Sequence, residues 1–104
     1  MSKGYWIGTT TITDFEKFSQ YSEGVINWLK TVEGKGLAGQ LDPLWIEGSG
    51  LKKWVKKNDL LIIIEFPSKE KAINAYNSSE YQKLLKLRLS SSINSTLRIV
   101  EGGD

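Results

Sequence analysis

Apolar and polar positions fall into distinct patterns along this chain, the most distinctive being Leu60-Leu61-Ile62-Ile63-Ile64-Glu65-Phe66, closed by Pro67 and Ser68. A strand with one face in water alternates apolar and polar residues, so a run this continuous reads as a strand covered on both faces. The β-branched Ile62, Ile63 and Ile64, the short length and the stop at Pro67 favour a strand over a buried helix, and Ser68 is placed to cap a helix after it. Gly4 to Ile12 is aromatic and β-branched and is expected to be the first strand. Alternation puts Trp6, Gly8, Thr10 and Ile12 on one face and Tyr5, Ile7, Thr9 and Thr11 on the other, more polar one. Gly8 beside Trp6 suggests a helix approaching the sheet closely at that point.

Thr13-Asp14-Phe15-Glu16 has the capping-box pattern with Thr13 as N-cap. Phe15, Phe18, Tyr21, Val25, Leu29 and Val32 then recur at helical spacing, with Gly34 suited to the C′ position. Gly24 weakens this helix by about 1 kcal/mol relative to Ala, which points to a kink or a close contact. From Gly34 to Asp59 glycines punctuate short apolar pieces: a strand at Leu37 to Leu41, a turn at Asp42-Pro43, an extended piece Leu44-Trp45-Ile46 and a turn at Gly48-Ser49-Gly50, together an excursion or hairpin at the sheet edge. After Ser68, Ala72, Ile73 and Tyr76 give a short helical stripe. Ser79 with Gln82 predicts a second start, the new helix carrying Tyr81, Leu84, Leu85 and Leu89, with Ser90 to Ser92 as a loop and Thr96 to Glu101 as the last strand.

Strand, helix, irregular strand region, strand, helix, strand is the split βαβ order of an α+β, ferredoxin-like sheet with its helices on one face. The other face would be bare in a monomer although the central strand is apolar on both sides, so a second copy is expected to cover it.

Composition narrows the chemistry more than any motif does. With 104 residues, 39% of them hydrophobic and 25% charged, the chain is expected to form one globular domain over residues 1–104. A net charge of +2 is too mild to imply nucleic acid. The sequence contains no cysteine and no histidine, which excludes a disulfide framework, a thiolate nucleophile, a Cys/His zinc site and a histidine general base. No EF-hand spacing or carboxylate cluster suggests a metal, and no cofactor is expected; haem is disfavoured for want of histidine, with tyrosine ligation left open. No apolar run has membrane-spanning length, and the expectation is a cytoplasmic protein without a membrane partner.

Gly4-Tyr5-Trp6-Ile7, Ile64-Glu65-Phe66-Pro67-Ser68, Ser79-Glu80-Tyr81, Leu87-Arg88 and Val100-Glu101-Gly102 together resemble a bacterial family of small domains of unknown function, family 1330, within the dimeric α+β barrel superfamily. The resemblance covers nearly the full length. It implies a homodimer whose two sheets face each other around an apolar cavity, and no established activity. Superfamily relatives include cofactor-free monooxygenases, muconolactone-type isomerases and haem-dependent enzymes, an analogy at the level of fold. Where the family usually has an Arg-Gly-Gly turn, this chain reads Gly39-Gln40-Leu41-Asp42, and Lys52 to Lys57 looks like an insertion.

Glu65 and Arg88 are the candidate catalytic residues. A carboxylate within an apolar strand needs a cation, such as Arg88 or Arg98, or an exit into a pocket, and a structural Glu65–Arg88 pair is the favoured reading. Tyr5, Thr9, Ser68 and Tyr81 are the candidate ligand-binding residues. Tyr5 and Thr9 share the face that helices leave uncovered, whereas Ser68 and the Ser79-Glu80-Tyr81 motif also read simply as helix caps with a core tyrosine behind them. Lys52-Lys53-Trp54-Val55-Lys56-Lys57 offers a basic-aromatic contact for nucleic acid or a protein partner, but more commonly such a run protects a sheet edge. Three functions follow: a homodimer with a cofactor-free activity on a small apolar, oxygenated substrate; a non-catalytic binding or accessory dimer; and, last, nucleic-acid or partner recognition through the lysine segment.

Overall fold

In a computed structural model, which describes residues 2–48 and 57–103, the chain runs β1 (Gly4–Ile12), α1 (Phe15–Leu29), a 3-10 turn (Lys30–Val32), β2 (Lys35–Leu41), β3 (Asp59–Phe66), α2 (Lys69–Tyr76), α3 (Ser79–Ser91) and β4 (Ser92–Glu101). The strands form one antiparallel sheet in the order β2-β3-β1-β4, the α+β ferredoxin-like arrangement. Lys52 to Lys56, with Trp54, and the Ser49-Gly50 half of the expected turn lie outside the described residues. Among the described residues no helix is long and apolar enough to cross a membrane.

Register decides which side chains meet. Trp6 lies opposite Ile64 and Ile99, and Gly8 opposite Ile62 and Leu97, so these residues share the face that the helices cover. Tyr5 lies opposite Glu65, and Ile7 opposite Ile63 and Arg98, on the face that no helix among the described residues covers. Trp6 centres the covered side: its indole Nε1 donates to the Ala72 carbonyl at 2.9 Å, and its ring lies 4.9 Å from that of Tyr81 and 5.1 Å from that of Phe66. Edge-on and tilted aromatic packing of this kind fills volume with little lost rotamer freedom.

Several local expectations shift by a residue or more. Asp14, not Thr13, caps α1, accepting from Lys17 N at 3.0 Å, because the amides of Thr13 and Asp14 are both already bound to the Ser91 carbonyl. Ser78, not Ser79, caps α3: Asn77 closes α2 through its N–H to the Ile73 carbonyl, leaving Ser78 to turn the chain and accept from Tyr81 N. Glu33, not Gly34, takes the left-handed conformation after α1 (φ 58°), while Gly34 is needed for space, since a Cβ there would strike the Leu29 side chain. Ser91 and Ser92 do not form a loop. Their hydroxyls donate to the Leu87 and Arg88 carbonyls of the last helical turn, so α3 hands directly to a β4 that is longer than expected.

Leu44-Trp45-Ile46 is not a strand. It belongs to the excursion between β2 and β3, whose base is closed by the Asp42 carboxylate accepting from the Asn58 and Asp59 amides. The close helix approach is at Gly4 rather than Gly8: a Cβ on Gly4 would lie 2.5 Å from the Ser68 carbonyl oxygen and the Lys69 backbone at the start of α2. Gly24 marks a close contact between α1 and Leu84 of α3.

Candidate functional site

Above Gly8 the nearest atoms are the Leu97 and Ile62 side chains rather than helix backbone, and Gly8 lines one side of a pocket. Between α1 and the sheet lies a cavity of about 350 Å³, with Phe18, Tyr21, Val25 and Leu29 above, Leu60, Ile62 and Ile64 below, and Arg88 of α3 in the wall. The helical stripe and the covered-face residues of β3 make it apolar, and Gly36 leaves part of it open, whereas a Cβ on Gly8 would lie 3.2 Å from Leu97 and 3.4 Å from Ile62. Gly8, Gly36 and Gly39 all line it, and a Cβ on Gly36 would meet nothing within 4 Å. The exposed lining residues Ile26, Gly36, Ala38 and Gly39 place its mouth on the side of α1 and edge strand β2.

Its polar wall is a hydrogen-bonded cluster. Arg88 Nη1 donates to the Tyr81 hydroxyl at 3.0 Å, and the Tyr81 and Tyr21 hydroxyls are 2.8 Å apart. Tyr81 is wholly buried, and among the described residues its other hydrogen-bonding partner is Arg88, which cannot accept a proton, so its O–H is satisfied by donating to Tyr21. The proton of Tyr21, a pocket-lining residue, then has no acceptor among the described residues. Burial holds both phenols above the usual tyrosine range. For Tyr81 the neighbouring Tyr21 and the bond donated to it add to the effect, while for Tyr21 the bond from Tyr81 and the Arg88 charge partly offset it. At neutral pH both are therefore hydrogen-bond donors rather than bases.

Arg88 is the charged member of the lining, and no carboxylate lines the pocket among the described residues. Its Nε is buried with no hydrogen-bond partner there, and the ion pairs found, Lys3–Glu65 and Lys71–Glu33, do not involve it. A guanidinium stripped of part of its water and given only phenols in exchange is an incompletely compensated charge.

The structure divides the residues singled out by sequence. The expected Glu65–Arg88 contact is not formed, because the two lie on opposite sides of the sheet. Glu65 faces the uncovered side, where Lys3 Nζ reaches it at 3.1 Å and the Tyr5 hydroxyl donates to it at 3.4 Å. Thr9, expected to bind ligand, is among the pocket-lining residues, with Thr96, whose hydroxyl it contacts at 2.6 Å. Ser68 caps α2 by accepting from Lys71 N. Arg88 and Tyr81 come together on the covered side, with Tyr21. Tyr21 was hidden within the helical stripe, where it reads as core. The signal for the pocket was the coincidence of Gly8, Gly36 and Gly39 with a continuous aliphatic strand, which becomes visible only once the register aligns them.

No curated protein matches the sequence. Among solved structures, the chain is similar to RPA0582, a protein of unknown function from Rhodopseudomonas palustris, at 14% identity and TM-score 0.75, over 95% of this chain and 81% of that one. It is similar to SnoaB, a cofactor-independent oxygenase from Streptomyces nogalater, at 10% identity and TM-score 0.68, over 96% and 92% of the two chains. A dimeric protein of unknown function with a ferredoxin-like fold from Bacteroides fragilis aligns at 11% identity and TM-score 0.66, over 95% of each chain. At such identities the likeness is one of fold. The family model described as Domain of unknown function (DUF1330) matches residues 3–103, and this protein belongs to that family.

Proposed function

We propose that residues 1–104 form one domain of a homodimer that binds a small, mainly apolar molecule in the pocket between α1 and the sheet of each protomer. The observation that carries this reading is the cavity of about 350 Å³, apolar on its floor and roof and polar at one wall, the usual make-up of a small-molecule site. Support for the dimer comes from the uncovered sheet face, where Ile7, Leu61 and Ile63 are only half-buried, and from the dimeric state of the Bacteroides fragilis neighbour. A second copy laid on that face would give β3 its cover on both sides.

Native mass spectrometry of freshly purified protein tests both parts. The expected spectrum is a dimer retaining extra mass, the mass being lost in Gly36→Phe, a pocket-lining position at which an added Cβ meets nothing within 4 Å. A dimer of bare mass that also fails to take up small aromatic probes would overturn the pocket reading. Ile7→Lys is expected to give monomers in light scattering, and an unchanged dimer would place the interface elsewhere.

A second reading, a cofactor-free reaction on an enolisable ligand, is favoured by Arg88, a fixed cation beside an apolar cavity and so suited to stabilising a developing oxyanion. The raised phenols of Tyr21 and Tyr81 do not supply a base at neutral pH, which limits such a reaction to ligands that ionise readily. Oxygen consumption with an enolisable phenol, lost in Arg88→Met, would establish it, and binding without turnover would leave the non-catalytic role.

A further inference from the structure

We propose that Arg88 and Tyr21 form an anion-recognition pair in the pocket wall, and that the ligand is an apolar molecule carrying one oxyanion, a carboxylate or an ionised enol or phenol. This deepens the pocket reading and rests on it. The observations are the geometry and bonding of three side chains. Arg88 carries the charge of the lining, has no carboxylate partner among the described residues, and spends its Nη1 on a phenol. A neutral phenol returns only part of what a guanidinium loses on leaving water, and the unpartnered buried Nε adds to that deficit. A ligand oxyanion supplies the missing countercharge.

The hydrogen-bond direction is consistent with this. Because Tyr81 accepts from Arg88 and donates to Tyr21, the Tyr21 O–H remains to be donated, and Tyr21 lines the cavity while Tyr81 lies behind it. The cation and the free donor thus belong to one connected unit, with Tyr81 fixing both. The apolar roof and floor exclude water around them, which strengthens a charge-assisted bond. The carboxylate that the sequence suggested for Arg88, Glu65, is engaged with Lys3 and Tyr5 across the sheet and leaves Arg88 available.

The test is calorimetric titration of the intact protein with 2-naphthoate, the neutral 2-naphthamide and 2-naphthol. Wild type is expected to bind the acid at least about tenfold more tightly than the amide, the scale of one charge-assisted hydrogen bond. Arg88→Met should abolish that preference by weakening the acid far more than the amide, and Tyr21→Phe should reduce it by a smaller factor. An acid preference identifies a carboxylate, whereas 2-naphthol binding that strengthens as pH rises towards its ionisation identifies an enolate or phenolate. Equal binding of all three at every pH would overturn the anion pair and leave the apolar pocket standing. Binding of none would overturn the pocket itself. The wild-type acid-to-amide ratio decides the matter even if Arg88→Met folds poorly.

Discussion

The covered face of the sheet has two halves that share strands, register and apolar character yet end in opposite states. Under α2 and α3, Trp6, Phe66, Tyr76 and Tyr81 pack ring against ring, and Trp6, Phe66 and Tyr81 are essentially without solvent contact. Two residues further along β1, under α1, Gly8 takes the place that Trp6 holds, and Gly36 and Gly39 do the same on β2. The aliphatic residues opposite are similar in both halves, Ile64 beside Trp6 and Ile62 beside Gly8. What differs is the volume contributed by the partner strands. Part of the opening comes from side chains absent from the sheet, most plainly at Gly36, where a Cβ would meet nothing within 4 Å. The Tyr21–Tyr81–Arg88 cluster spans the boundary, with Tyr81 in the packed half and Tyr21 and Arg88 facing the hollow one.

If the packed half carries the stability, Trp6→Ala should be the most damaging change, costing about 3–5 kcal/mol for the cavity it leaves. A shift in the urea midpoint measures it, and a loss near zero would show that the aromatic half is not the centre of stability. Tyr81→Phe tests the boundary. It removes the acceptor of Arg88 and the donor to Tyr21 while keeping the ring, and should cost about 1–3 kcal/mol because both neighbours lose a buried partner.

Alkaline titration separates the halves further. The folded-state values of Tyr21 and Tyr81 lie above their ordinary 10.0, so on raising pH the unfolded chain gives up these protons first. Their contribution is complete below about pH 10 and is lost above it as the folded phenols are forced to ionise. Melting temperature should fall in that alkaline window, and less steeply in Tyr81→Phe than in wild type; identical slopes would mean that neither phenol is held neutral by burial. The smallest effect on stability is expected of Gly36→Phe, within a few degrees of wild type by thermal denaturation, because its ring enters space rather than displacing atoms. That same variant should lose ligand uptake. A strong destabilisation would show that the hollow half is more tightly packed than its glycines indicate.

The order of strands and helices was legible because each rests on a local rule. β3 was recognisable from its β-branched run and proline stop, and α1 from Phe18, Tyr21, Val25 and Leu29 on one stripe. Ser68 was recognisable as a cap because a serine before a helical stripe has few other uses. The other caps moved by one residue, since which amide remains open depends on distant partners, as when the Ser91 carbonyl takes the amides of Thr13 and Asp14 and leaves Asp14 to cap. Glu65 was chosen as a carboxylate within an apolar strand, and Arg88 as a cation that could answer it. Period-two alternation in β3 turns Glu65 to one side of the sheet, while Arg88 belongs to a helix on the other, and Lys3 answers the carboxylate instead.

By itself, then, the sequence determined the alternation of elements, the apolar character of each face and the chemistry that a chain without histidine or cysteine must do without, because these depend on residue type and spacing along one strand or helix. Only the tertiary structure decided which residues share a site. Gly8, Gly36 and Gly39 become one cavity through pairing across three strands, and Tyr21, Tyr81 and Arg88 become one hydrogen-bonded wall through the packing of α1 against α3. Those contacts join positions as much as 60 residues apart in the chain, where no local pattern records which neighbour a side chain will meet.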